Sequence, residues 1–375
     1  MYTEKDHTNY PAGKPIAVKK GSELNIAVNN STSVDTNIHW HGLSLPNDQD
    51  GPHFLIDKDG GEFDYSFTPD YSGSYWYHSH NRPVRDQVDF GMFVPMIILD
   101  ETDEQYTVDR IVMIDDWAVS RNTGHMQVEG DVDTFTELSG SDIEALNFTN
   151  GDLVKLRIIQ ASTAKNTTVN FPFDVLVTHT DGMALEKPYM TRELTLSPAE
   201  RYDVVITNNE PKNAKYTITN ERDSGFEFPL NYAYNKSLST PEFTQHTAVK
   251  ELTFNVANNA KPDIEVRMDS SMKMGEGHQW TINGEVFPDA EEFFLNKDEL
   301  YVIHFYNDSR MFNHPMHIHG SHFKVMNING IETDSLIWKD TIDVLPGEYI
   351  DVAIQFENAG AWMMHCHILD HEDGG

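Results

Sequence analysis

The sequence predicts an all-β protein of three consecutive Greek-key β-sandwich or barrel domains. Three observations carry that expectation: short strands rich in β-branched and aromatic residues between Gly, Asn, Asp and Pro turns, no long stretch of helical period, and a pattern that restarts three times. The restarts are "KKGSELNIAVNNSTS" at 19–33, "TNGDLVKLRIIQAST" at 149–163 and "LNKDELYVIHFYNDS" at 295–309. Each is a polar turn, a strand of alternating apolar residues and an Asn- or Gln-rich exit. A second element also recurs, as a Pro or Gly turn, a Glu and a period-2 strand: "LSPAERYDVVI" at 196–206, "VLPGEYIDVAI" at 344–354 and, more weakly, "KDGGEFDYSF" at 58–67. Polar stretches near 100–104 and 257–263 set the expected boundaries, giving domains 1–102, 103–258 and 259–375.

Composition narrows the partners. The 375 residues carry 60 acidic against 27 basic side chains, a formal charge of -33 that repels phosphate backbones and anionic lipid. Nucleic acid is therefore not an expected partner, and an acidic solvated surface accounts for most of the charge. The longest apolar run, "FGMFVPMIIL" at 90–99, is about half a bilayer span and contains Pro95, so no membrane helix is expected. The start, "MYTEKDHTNY", has neither a basic n-region nor an apolar h-region, so an export signal is not expected within this chain. A single cysteine forms no internal disulfide and does not report the compartment.

Eighteen histidines at random would give about one H-x-H pair, the false-positive level a motif must exceed. Four occur: "HWH" at 39–41, "HSH" at 78–80, "HIH" at 317–319 and "HCH" at 365–367, all in the first and third repeats. The surroundings repeat as well, "GSYWYHSH" matching "GAWMMHCH" and "HWHG" matching "HPMHIHG". Residues i and i+2 of a strand face the same way, so each pair projects two imidazoles from one face. If the first and third domains pack face to face, eight imidazoles line one cavity. That is more than one tetrahedral zinc can use, and a cluster of about three metals is the economical count.

The pleat points Cys366 away from His365 and His367, so its thiolate faces a separate site. His314 and His371 are left over and can complete a His2Cys set, the trigonal blue-copper arrangement. One covalent path from Cys366 to either neighbouring histidine then joins that copper to the cluster.

In this order and spacing, "HWHG", "YHSH", "HPMHIHG" and "HCHILDHE" resemble the four copper-binding signatures of the three-domain, laccase-like multicopper oxidases of bacteria, across the whole chain. The resemblance implies cupredoxin-like domains, a middle domain without copper, and four coppers per chain. It gives a type 1 copper on His314, Cys366 and His371, and a type 2 copper on His39 and His317. Two type 3 coppers fall on His41, His78 and His367 and on His80, His319 and His365. Substrate would lose single electrons at the type 1 site, near the exposed edge of His314, and dioxygen would become water at the trinuclear cluster. That reduction consumes protons, and Asp50 and Glu372 stand where members of the family carry acids, making them the candidate relay. The family's axial position, ten after the cysteine, corresponds to 376, one beyond Gly375.

The expected substrates are small phenols or aromatic amines, with oxidation of Cu(I) in copper tolerance as the alternative. A copper nitrite reductase shares the domain type, but its cysteine need not lie between two cluster histidines, so "HCH" argues against it. Met268, Met272 and Met274 suggest a soft, thioether-lined approach for Cu(I), against the plainer reading of an irregular loop. The aromatic run 225–235 could line a substrate groove, but packing in a core is the expected use. A periplasmic or extracellular location follows only from the habit of the family.

Overall fold

Each restart of the pattern builds the same antiparallel strand pair. Leu24–Asn30 runs against Gly61–Phe67, Val154–Gln160 against Arg201–Ile206, and Leu300–Asn307 against Tyr349–Gln355. The turn-Glu-strand element is thus, in all three cases, the partner of the strand that opens the repeat. The computed structural model describes residues 13–115, 146–206, 214–220, 226–248, 256–257, 260–273, 277–333 and 336–375.

Around these pairs the described strands form five sheets. Ile16–Lys19, Phe93–Leu99 and Gly73–His78 form one of the two early sheets, and Leu24–Asn30 with Gly61–Phe67 forms the other. An eight-stranded sheet runs from Val108–Ile114 to Phe226–Ala233. A seven-stranded sheet and the three-stranded sheet of Thr341–Val344, His314–Ile318 and Met364–Cys366 complete the chain. Among the described residues no strand ladder joins these three stretches. Each stretch has its own apolar core, around Trp40 and Tyr65, around Leu156 and Val177, and around Phe305 and Val352.

Two strands break the half-buried alternation. Gly73–His78 and Val154–Gln160 are buried at every position, because one face packs on its own core and the other on a neighbouring stretch. An apolar cluster of Trp76, Val84, Phe93, Met113, Ile159, Ala199 and Leu369 draws on all three stretches at once. Beside it, Lys155 and Arg157 are buried against Asp103 and Asp203, and Ser74 donates to Asp203 at 2.6 Å. The ion pairs and the Ser74 bond tie the middle stretch to the first, and Leu369 brings the third into the apolar cluster beside them.

The two α-helices among the described residues are short, Val84–Asp89 and Leu369–Gly374. They meet where Asp373 accepts from the backbone N–H groups of Val84 and Arg85, and the second carries His371 and Glu372. No helix is long and apolar enough to cross a membrane among the described residues.

The methionine expectation needs correction. Met268 is 1% exposed, because its strand places it inside the third core, so it lines no approach; Met272 is exposed, and Met274 lies outside the described residues. In the aromatic run, Leu230 and Tyr232 do pack in the second core.

Candidate metal centre

Three of the four H-x-H pairs sit at strand ends, and the fourth, His39 and His41, lies in a loop tied to a strand by one isolated bridge. His39 bridges to His78, the last residue of Gly73–His78, while His317 of His314–Ile318 lies opposite His365 of Met364–Cys366. In the three strand-end pairs the second histidine, His80, His319 or His367, lies just past its strand. All eight imidazoles are nevertheless buried and converge from the first and third stretches into one cavity. His80 Nε2 and His319 Nε2 lie 3.2 and 3.1 Å from His365 Nε2. Three nitrogens bound to one ion at about 2 Å would sit about 3.4 Å apart, so these three already have ligand spacing. His41 and His78 bring their rings to 5.1 and 5.3 Å from that of His367, and His39 lies 5.7 Å from His317.

The outward nitrogens are fixed by acceptors. Nδ1–H donates to a backbone carbonyl from His39 (Asp50), His78 (Ser79), His317 (Asp340) and His365 (Cys366), and His319 Nδ1 lies 2.9 Å from Asp50 Oδ2. A carbonyl can only accept, so the proton sits on Nδ1 and the Nε2 lone pair faces the cavity. His41 is turned the other way: its Nε2 lies 3.1 Å from Asp340 Oδ1 and 3.2 Å from Thr341 Oγ1. The atoms left without a partner are then Nε2 of His39, His78 and His317, Nδ1 of His41, and both ring nitrogens of His367. Buried unpaired nitrogens are costly, and their convergence fits a site built for metal ions.

Burial and the neighbouring rings keep most of these imidazoles neutral. His41, His78, His317 and His319 are lowered well below the ordinary value, His80 to about 4 and His367 to about 3. At neutral pH they are ready as ligands. His365 is the exception: burial works against its charge, but Glu372, 3.3 Å away, outweighs that and raises it. Glu372 is also 3.5 Å from His80, and its carboxyl is held low against its own burial by these imidazoles. Asp50, fully buried, lies between His39 and His319.

Cys366 faces away from this cavity, as the pleat requires. Its Sγ lies 3.4 Å from His371 Nδ1 among Met316, Ile368 and the third core, and His314, Cys366 and His371 place ligand atoms within 4.8 Å of one another. Burial brings His314 to about 4 and His371 to about 3, and raises the thiol well above its ordinary value. Only a cation in the pocket offsets that last cost, and two neutral imidazoles with a soft sulfur suit copper. The expected exposed edge of His314 is absent. His314 is 2% and His371 6% exposed, because Trp280 and Phe312 lie over them.

Asp340 and Arg201 were not foreseen. Arg201 donates to both oxygens of Asp340 at 2.7 and 2.6 Å, to Ser74 O and to Ala199 O, joining the middle stretch to the imidazole cavity. A signal was present: the strand that follows the Glu begins with Phe63 and Tyr349 in the outer repeats but with Arg201 in the middle one. Gly42, after His41, has φ +85°, and a Cβ there would lie 2.3 Å from Arg201 Nη2 and 2.6 Å from Asp340 Oδ2. Gly42→Ala is expected to lower stability by about 1–3 kcal/mol from backbone strain alone, read as a lower melting temperature.

An eight-histidine cavity between the first and third stretches, joined through the peptide links of Cys366 to His365 and His367 to a His2Cys pocket in the third, defines a copper oxidoreductase. Comparison with known proteins gives the family. Three family models described as multicopper oxidase match residues 8–103, 73–240 and 235–375. The chain is 27% identical over 382 residues to multicopper oxidase mco of Staphylococcus haemolyticus, covering 97% of this chain and 80% of that protein. It is 24% identical over 434 residues to laccase-2 of Trametes versicolor, covering 96% and 82%. Among solved structures, a multicopper oxidase from Campylobacter jejuni described as a metallo-oxidase superposes with TM-score 0.79 at 25% identity, covering 98% of this chain and 84% of that one. The chain belongs to the multicopper oxidases, laccase-like copper enzymes with cupredoxin-like domains and dioxygen as electron acceptor.

Proposed function

We propose that the protein oxidises small phenols or aromatic amines one electron at a time and reduces dioxygen to water with four coppers. The observation that carries this reading is the pair of donor sets that share the 365–367 tripeptide: convergent unpaired nitrogens on one side, Cys366 with His314 and His371 on the other. In this reading His314, Cys366 and His371 hold the type 1 copper, and His39 and His317 the type 2 copper. His41, His78 and His367 hold one type 3 copper, and His80, His319 and His365 the other. Bound copper supplies reversible one-electron chemistry and a site for dioxygen.

The chain's own groups do the rest. The outward acceptors fix each imidazole in one tautomer, and the buried walls keep bulk water from the cavity. Asp50 and Glu372, the carboxylates set between pairs of cluster imidazoles, are placed to pass protons toward the site of the reduction. We also propose the division into domains 1–102, 103–258 and 259–375, supported by the separate ladders and cores, and a location outside the cytoplasm, by analogy with the family. Oxidation of Cu(I) is the second reading, favoured by the exposed thioethers of Met272 and Met311 and by the likeness to the Campylobacter metallo-oxidase.

The test is copper-loaded protein, its copper count and its visible spectrum, followed by oxygen consumption with a phenol and with Cu(I). A strong band near about 600 nm from thiolate-to-copper charge transfer is expected, with four phenol oxidations per dioxygen. Copper-replete protein without that band would overturn the assignment. A faster rate with Cu(I) than with every phenol would favour the second reading.

A further inference from the structure

Between solvent and the His2Cys pocket stand two rings stacked on the pocket's own His371. His278, exposed, lies 5.5 Å from Trp280 with planes 14° apart; Trp280, half-buried, lies 3.5 Å from His371 with planes 25° apart. The strand Gly277–Ile282 puts His278 and Trp280 on one face, and it is the end strand of its sheet, lying beside the helix Leu369–Gly374 that carries His371. Phe312 stands edge-on to Trp280 at 4.9 Å and fixes the indole from the side. With both pocket imidazoles buried, a donor larger than water meets Trp280 before it meets a ligand.

We infer that Trp280 is the contact residue for an aromatic donor, which lies against the Trp280–His278 face and passes its electron through the indole to His371. The inference rests on the oxidase reading and narrows it to planar donors, because a flat π-face contacts a ring over its whole area and a cation only over its centre. In each event a phenol loses one electron and its O–H proton and leaves as a phenoxyl radical. The oxidant would be the copper(II) that His314, Cys366 and His371 would hold, taking up the one electron to become copper(I), and the proton passes to bulk water. The stack has no covalent break to repair afterwards.

The experiment uses the full chain with Trp280→Ala and Trp280→Phe, with 2,6-dimethoxyphenol and hexaammineruthenium(II) as donors. In Trp280→Ala the band near about 600 nm is expected to persist while kcat/KM for the phenol falls tenfold or more and that for the ruthenium complex falls less than threefold. Trp280→Phe is expected to recover most of the phenol rate. Copper-free protein labelled with 5-fluorotryptophan gives a readout independent of turnover: the ¹⁹F resonance missing from Trp280→Phe should shift when the phenol is added. Equal losses for both donors, a phenol rate within twofold of wild type, or an unmoved resonance would each overturn the inference. A wild-type protein without the band would instead overturn the oxidase reading beneath it.

Discussion

Cys366→Ser is expected to abolish the absorption near about 600 nm, to lower the copper count by one per chain and to bring phenol oxidation down to the background of copper-free protein. Serine keeps the shape of the side chain but replaces a soft thiolate by a hydroxyl that does not ionise at neutral pH, so His314 and His371 alone must hold the ion. The donor sets for the cluster lie on the other face of the strand and keep their geometry, since His365 and His367 still point into their cavity. The fold loses little: a hydroxyl buried among Met316 and Ile368 costs about 1–3 kcal/mol, read as a modest fall in melting temperature. Copper analysis, visible spectra and oxygen uptake on one preparation separate these effects. Persistence of the band in the variant would place the blue copper elsewhere and break the link between the two sites.

How much of this was legible in the sequence depends on what fixed each residue. The strand pairs that open each repeat could be read because their alternation and turns are local, and the pleat at Cys366 followed from period 2 alone. The eight cavity histidines stood out because H-x-H is rare by chance and a strand end preserves the facing of i and i+2. The conformation past each strand end could not be read, since it depends on backbone bonds such as His39 with His78, made across the sheet. Tautomers were equally hidden: His41 turns its Nδ1 inward only because Asp340, far along the chain, accepts from Nε2. Trp280 carried no motif. It matters through contact with a helix that begins at Leu369, which no local pattern near residue 280 announces.

Asp340→Ala is expected to cost more than any change on the protein's surface, and in two separable ways. Asp340 is a fully buried carboxylate that takes both arms of Arg201, the Thr341 hydroxyl and the Nε2–H of His41, and Arg201 holds its carboxyl far below the ordinary range even against burial. Removing it takes the bidentate partner from a buried guanidinium and leaves only Asp181, 3.6 Å away, as counter-ion, a loss of up to about 3–5 kcal/mol. It also frees the His41 ring to flip or change tautomer, and the loss of such a partner typically lowers metal affinity or activity by about 10–100-fold. The control is Arg157→Met, which breaks a comparably buried ion pair whose hydrogen bonds go to Asp103, Asp109, Asp203 and Ser74 and reach no cavity imidazole. Both variants should melt at lower temperature, but only Asp340→Ala should lose copper from the imidazole cavity during dialysis against a chelator and slow oxygen uptake at saturating phenol. Equal copper loss from the two would mean that Asp340 acts through stability alone. Retention in Arg157→Met beside loss in Asp340→Ala would make the middle stretch, which gives none of the eight histidines of the cavity, the support that sets His41.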